Sequence, residues 1–298
     1  MNFEVWGLSG SLATEHAQHE GVARERLWYW LDAVDAACNR FRSDSELTRL
    51  NDVHDGPVVV SETFARCLEA ALESAELTGG LCDPTVLQSL LALGYDRDFD
   101  ELSSVVVPVR AHRPSPGVSA ITFEREERRL TLRSGCTLDL GASAKALVAD
   151  LVADDLARLG GVVVEIGGDV ALRGNGPSGP WVVGIADRLE IRGNEPRVSQ
   201  SDGGIATSSL TVRTWKSRGA TLNHIIDPRT GYCASGPYAT ATVSAASCVV
   251  ANAFATAALL WGEEASYRIA QAGWSARLVR HDGRVEFVGG WPEEKLSA

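Results

Sequence analysis

Long apolar runs are missing from this chain of 298 residues. The most apolar stretch, Ser247 to Gly262, falls short of the roughly 20 residues a membrane helix needs. The opening Met-Asn-Phe-Glu-Val-Trp-Gly has neither a basic leader region nor an apolar one, so no signal peptide is expected and the expected location is the cytoplasm. Positive charge is scarce as well. There are 28 Lys and Arg against 39 Asp and Glu, a formal charge of −11 with no basic stripe to offset it. That excludes nucleic acid as a natural partner. It also means an anionic ligand must be met locally, by a metal or by a few placed cations. The six cysteines (38, 67, 82, 136, 233 and 248) form no CxxC pair. A zinc site and a disulfide framework are thereby excluded, and the thiols read as small buried hydrophobes in a reducing compartment. Internal repeats and long linkers are absent too. What remains, 45% hydrophobic and 22% charged residues, is ordinary globular composition, with one domain expected over residues 1–298.

Periodicity supplies the elements. Residues 3–13 read as a first strand. Val22, Leu27, Leu31, Val34, Cys38 and Phe41 recur at helical spacing. Ser43 with Glu46 reads as a capping box that opens a short helix. Ser61 caps another helix through Phe64, Leu68, Ala71, Leu72 and Ala75, which stops at Gly79-Gly80. Residues 96–117, with three prolines between 108 and 116, are expected to form a surface-loop insert. Ile121 to Leu132 reads as a hairpin that sets Ile121 and Phe123 against Leu130 and Leu132. Strands are expected over 162–166, 170–172, 181–185 and 239–245, with a final hairpin turning at Asp282-Gly283. About five helices mixed with short strands, and few βαβ units, indicate an α+β fold.

Several stretches carry more than packing. Residues 138–150, Leu-Asp-Leu-Gly-Ala-Ser-Ala-Lys-Ala-Leu-Val-Ala-Asp, read as a short strand running into a helix. Its small-residue entry is followed by Lys145. A cation at the positive end of a helix is either merely solvated or set against a bound anion such as a phosphate. Gly167-Gly168-Asp169 between two strands is a hairpin turn and not a dinucleotide fingerprint, since no helix follows. The run 203–209 is small and hydroxyl-rich, with little to pack. His224 opens a strand-like pair ended by an Asp-Pro turn, and a histidine there is structural or catalytic. Asn252 and Thr256 are polar groups four apart on an almost wholly apolar helix, so they are either satisfied or functional.

Taken in order, seven pieces resemble the FAD:protein FMN transferase (ApbE) family. They are Ser-Asp-Ser-Glu-Leu-Thr-Arg-Leu-Asn (43–51), Gly-Leu-Cys-Asp-Pro-Thr-Val (80–86), Asp-Leu-Gly-Ala-Ser-Ala-Lys-Ala (139–146) and Ile-Gly-Gly-Asp-Val (166–170). The others are Ala-Thr-Ser-Ser (206–209), His-Ile-Ile-Asp-Pro-Arg-Thr-Gly (224–231) and Ala-Asn-Ala-Phe-Ala-Thr-Ala (251–257). The resemblance implies an α+β fold of mixed and antiparallel sheets packed with helices, in two interleaved halves. It implies a magnesium-dependent enzyme that takes FAD as substrate, moves FMN onto a Thr or Ser hydroxyl of an acceptor protein and releases AMP. It places Mg²⁺ on the Ala142 carbonyl and the side chains of Asn252 and Thr256. It puts Asp83, Lys145 and Ile226 along the FAD site and gives His224 the role of base. Gly167, Gly168 and the hydroxyl run around Thr207 would then let backbone approach the dinucleotide. A histidine of ordinary pKa suits that proton transfer near neutral pH.

Three positions depart from the family pattern. Asn252 stands where the family has aspartate, Ala146 where a glycine follows the lysine, and the early Met-Gly-Thr element reads Trp-Gly-Leu-Ser-Gly-Ser at 6–11. An amide oxygen can bind magnesium but brings no charge, so metal affinity is expected to be lower. These departures keep two alternatives open: an FAD-binding carrier or scaffold with weakened transfer, and an FAD diphosphatase that yields FMN and AMP.

Overall fold

Short strands, some rich in branched apolar residues and others in small and hydroxyl ones, build one large sheet. The computed structural model describes residues 1–52, 56–102, 112–186, 195–217 and 219–292. Eight strands pair in strict chain order: β1 Asn2–Val5, β2 Leu8–Thr14, β3 Val162–Ile166, β4 Asp169–Arg173, β5 Gly203–Ser209, β6 Tyr238–Ala245, β7 Ser275–Arg280 and β8 Val285–Val288. Every pairing is antiparallel. The α-helices of the described residues are α1 Glu20–Cys38, α2 Glu46–Asp52, α3 Glu62–Leu77, α4 Leu87–Ala92, α5 Phe99–Leu102, α6 Gly141–Leu156, α7 Cys248–Trp261 and α8 Ala265–Gln271.

The chain divides into two compact units. One comprises Met1–Trp30, Lys145–Val212 and Ser235–Ala298, and the other Leu31–Ala144 and Arg213–Ala234. The first unit holds the large sheet. Its α7 lies against β5 and β6. The small residues of β5, puzzling in the sequence, explain themselves here. A Cβ on Gly204 would stand 2.2 Å from the Cys248 amide nitrogen, so only glycine lets the helix come so close. The opposite face of the sheet carries Val170, Leu172 and Ile205, which pack with Ile185, Val198 and Trp291. The strand expected at 181–185 runs Trp181–Gly184 and pairs with Arg197–Gln200.

The second unit contains α3, α4 and α5 and small sheets. Ser61 caps α3 as expected, its hydroxyl accepting from the Phe64 amide at 3.1 Å. The hairpin Ile121–Glu124 with Arg129–Leu132 sets Ile121 opposite Leu132 and Phe123 opposite Leu130. A core of Leu90, Leu93, Tyr95, Leu102, Trp215, Leu222, Ile226 and Cys233 joins α4, α5 and two two-stranded sheets.

Four expectations need correcting. Residues 3–13 are not one strand but the hairpin β1–β2. The helix expected at Ser43 begins at Glu46, and the cap is Ser45, whose hydroxyl accepts from the Thr48 amide at 3.1 Å. Glu46 serves the next helix instead, accepting from the Ser61 amide at 2.8 Å. Residues 138–140 form no strand; the Asn51 side chain takes both the amide and the carbonyl of Leu138, at 2.8 and 2.9 Å. An amide side chain offers one acceptor and two donors, and so substitutes for a neighbouring strand. Within 96–117, residues 103–111 lie outside the described residues, but Phe99–Leu102 is helical and Leu102 is fully buried. Phe99 and Leu102, three apart, put one apolar face on the core.

Candidate active site

In the first unit a buried polar cluster sits where β4, β5, α6 and α7 contribute side chains. Asn252 and Thr256, one turn apart on α7, are 7% and 9% exposed. Asn252 Nδ2 donates to Asp169 Oδ1 at 2.9 Å. The Lys145 ammonium lies 4.0 Å from Asp169 Oδ2. Thr256 and Ser208 share a hydrogen bond between their hydroxyls at 3.0 Å. Asp169 is 3% exposed, and a carboxylate this deep needs such partners to remain charged. Strand parity explains the grouping. Asp169 pairs with Ala206 across β4 and β5, and Ser208, two residues on, faces the same way.

The N-terminus of α7 belongs to the protein's own acids. Asp150 on α6 accepts from the Cys248 and Val249 amides at 3.0 and 2.9 Å, while the Ser247 hydroxyl accepts from Val250. Burial pushes the Asp150 carboxyl above the usual carboxylate range, with those two amides and Arg173 pulling it back. The six cysteines are all free and buried, as read from the sequence. Burial holds the Cys248 thiol far up, so it is inert at neutral pH.

Three other nominated positions in this unit have structural explanations. Gly167 and Gly168, at φ of 60° and 92°, form the two-residue turn between β3 and β4, a conformation open to glycine at both positions. Their amides are engaged, Gly167 to the Ser9 carbonyl at 3.0 Å and Gly168 to the Glu165 carboxylate at 2.9 Å. Thr207 bonds Thr242 at 2.9 Å. It alternates with Ser208 along β5, so it points to the face away from α7.

The second unit holds Asp83, Ala142, His224 and Ile226. Asp83 Oδ1 accepts from the amide and hydroxyl of Thr85 at 2.8 and 2.7 Å, a local side-chain turn around Pro84. Burial pushes its carboxyl above the usual range, against the pull of both Thr85 bonds. Ala142 is in the first turn of α6, where the Asp139 carboxylate already accepts from the Gly141 amide at 2.8 Å and also pairs with Arg40 at 2.8 Å. Ile226 is a core side chain, so what it can offer a ligand is backbone. His224 is half-buried, with its Nδ1 enclosed. The preceding Asn223 fixes the backbone there, accepting from the Ile225 amide at 3.1 Å and donating to the Ala234 carbonyl at 3.1 Å.

A family model described as the ApbE family matches residues 7–278. The chain belongs to the ApbE family. The FAD:protein FMN transferase of Vibrio cholerae is 31% identical over 253 residues, which cover 81% of this chain and 74% of that protein. The FAD:protein FMN transferase of Treponema pallidum is 30% identical over 293 residues, covering 90% and 80%. The crystal structure of the ApbE protein from Thermotoga maritima matches with a TM-score of 0.82 at 24% identity, over 97% of this chain and 96% of that one. The flavin transferase ApbE from Vibrio cholerae gives 0.79 at 23% identity, over 97% and 96%. The structural matches establish the shared α+β fold.

In this ApbE chain the side-chain donor atoms that α7 offers in the first-unit cluster are oxygens, Asn252 Oδ1 and Thr256 Oγ1, with the Asp169 carboxylate set against Asn252 Nδ2 and Lys145. These are the hard ligands magnesium takes. Among the described residues no group of three or more His, Cys, Asp and Glu could hold a metal ion. A magnesium ion here would therefore draw part of its shell from a ligand's phosphates, as that ion commonly does. The residues fit it on those terms. No helix among the described residues is long and apolar enough to cross a membrane. Asp169 was not a sequence candidate, because Gly-Gly-Asp is complete as a turn. The available signal was an acid opening a strand whose next residues, Val170, Ala171 and Leu172, are all apolar.

Proposed function

We propose that this chain is an FAD:protein FMN transferase. It moves FMN from FAD onto a Thr or Ser hydroxyl of an acceptor protein, with magnesium, and releases AMP. The observation that carries this reading is the cluster of buried Asp169, Asn252 and Thr256 with half-buried Lys145 beside Asp169. It occurs in a chain 30–31% identical to two proteins named for that activity.

The reaction is a phosphoryl-type transfer, in which positioning and charge neutralisation dominate. The acceptor's hydroxyl oxygen bonds to the FMN phosphorus, the diphosphate P–O bond breaks, and the electron pair leaves on AMP. Lys145 supplies a fixed positive charge to the diphosphate. Magnesium, when bound, neutralises charge on the diphosphate oxygens. Asn252 and Thr256 offer it side-chain oxygens, and the family resemblance adds the Ala142 carbonyl. On the same ground His224 takes the acceptor's proton, at Nε2, because Nδ1 is enclosed. Asp83 and Ile226 are assigned to the FAD site by resemblance alone, while Gly167, Gly168 and Thr207 are assigned to it because small residues there let backbone approach the dinucleotide.

Incubation with FAD, Mg²⁺ and a candidate acceptor, followed by chromatography of the nucleotides, separates the readings. AMP without free FMN, dependent on acceptor, is the expected result. AMP with equimolar free FMN identifies a diphosphatase, and bound FAD with no AMP identifies a carrier.

A further inference from the structure

Asn252 cannot supply the charge that a magnesium site ordinarily draws from a carboxylate, yet a carboxylate touches it. We infer that Asp169 is the positioning residue that makes Asn252 a metal ligand and carries the negative charge α7 lacks. This rests on the proposed transferase reading and deepens its metal site.

An asparagine amide presents two faces, and only the oxygen can bind a cation. Asp169 Oδ1 accepts from Nδ2 at 2.9 Å. A carboxylate has no proton to give, so the amide cannot be reversed without setting oxygen against oxygen. Nδ2 is thus committed to the protein, and Oδ1 is left as the donor atom for a cation. The other carboxylate oxygen faces Lys145 at 4.0 Å. The lysine sits near the N-terminal, positive end of α6, where the helix dipole disfavours a cation, and Asp169 offsets that cost. One buried acid therefore orients the amide and holds the lysine. With Mg²⁺ bound, Lys145, Asp169 and the metal sum to about +2, a match for a diphosphate. A second carboxylate at 252 would lower that sum by one. The arrangement favours metal and nucleotide binding together over metal binding alone.

Outer partners that fix a ligand's orientation typically contribute 10- to 100-fold to metal affinity. Mn²⁺ binding, followed by electron paramagnetic resonance with and without FAD, reads this directly and independently of turnover. Asp169→Asn is expected to weaken Mn²⁺ binding at least about tenfold. The double variant Asp169→Asn/Asn252→Asp, which moves the charge onto α7, is expected to restore it. Asn252→Asp alone is expected to tighten Mn²⁺ and to lower the melting temperature of the metal-free protein, because two carboxylates then adjoin. A folded Asp169→Asn variant that binds Mn²⁺ like the wild type overturns the inference, as does a double variant no better than the single one. Should Asp169→Asn fail to fold, an Asn252→Asp protein with unchanged Mn²⁺ affinity overturns it. Wild-type protein that binds no Mn²⁺ in either condition overturns it too. Loss of the transferase reading is a separate result: wild-type protein that binds Mn²⁺ but no FAD.

Discussion

At the scale of single residues, the chemistry of this chain turns on carboxylates that are largely buried. Asp83 is one whose proton balance can be followed. Burial raises its pKa in the folded protein, so the folded state holds that proton more tightly than the unfolded chain. Its contribution to stability is full below the ordinary carboxylate pKa and is lost as pH rises through the raised value. Asp83→Asn keeps an oxygen for Thr85 but cannot ionise. Its stability relative to wild type should therefore climb with pH, which denaturant titrations between about pH 3.5 and 7 will read; a gap that stays constant, or shrinks, contradicts this. The sequence exposed Lys145, Asn252 and Thr256 because each is polar in apolar or small surroundings. It hid Asp169, Asn51 and Asp139, whose partners lie far along the chain: Asn252 for the first, Leu138 for the second and Arg40 for the third.

At the scale of elements, the β5–α7 contact sets the limits. Gly204→Ala would place a methyl group against the backbone of Ser247 and Cys248. The expected loss is about 3 kcal/mol, the upper end for overpacking, measured by chemical denaturation. Asp150→Ala strips two amides of α7 of their acceptor and leaves Arg173 with one acid fewer. The expected loss is about 2 kcal/mol. A loss below about 0.5 kcal/mol in either case would mean that the helix end is held by something else. Elements with a local cause were legible in sequence. The hairpin 121–132 has its register written in its apolar alternation, and α3 has Ser61 before it and Gly79-Gly80 behind. Elements completed by distant groups were not. Residues 138–140 look like a strand but pair with a side chain, and Glu46 looks like a cap for its own helix but serves another. The small residues of β5 answer to α7, which packs against them from far along the chain.

At the scale of the whole molecule, the family and the α+β class were readable from seven short pieces in register. Sheet order was not, since Leu12 pairs with Val164 and nothing local announces a partner so far along. The eight-stranded meander keeps chain order even though long segments intervene between its strands. Neither compact unit is continuous in sequence. We propose on that ground that residues 1–298 fold as one domain. A fragment spanning 31–144 lacks Trp215, Leu222, Ile226 and Cys233, half of the core it should share. It is expected to show no cooperative unfolding transition, and a sharp transition would contradict the single-domain reading.

The central claim is that the chain transfers FMN to protein. Its most direct test is the intact mass of an acceptor bearing a Thr or Ser site after incubation with this protein, FAD and Mg²⁺. The account predicts a gain of one FMN joined as a phosphoester with loss of water, and no gain when EDTA replaces the metal. An unchanged acceptor mass beside protein that has bound FAD would contradict it.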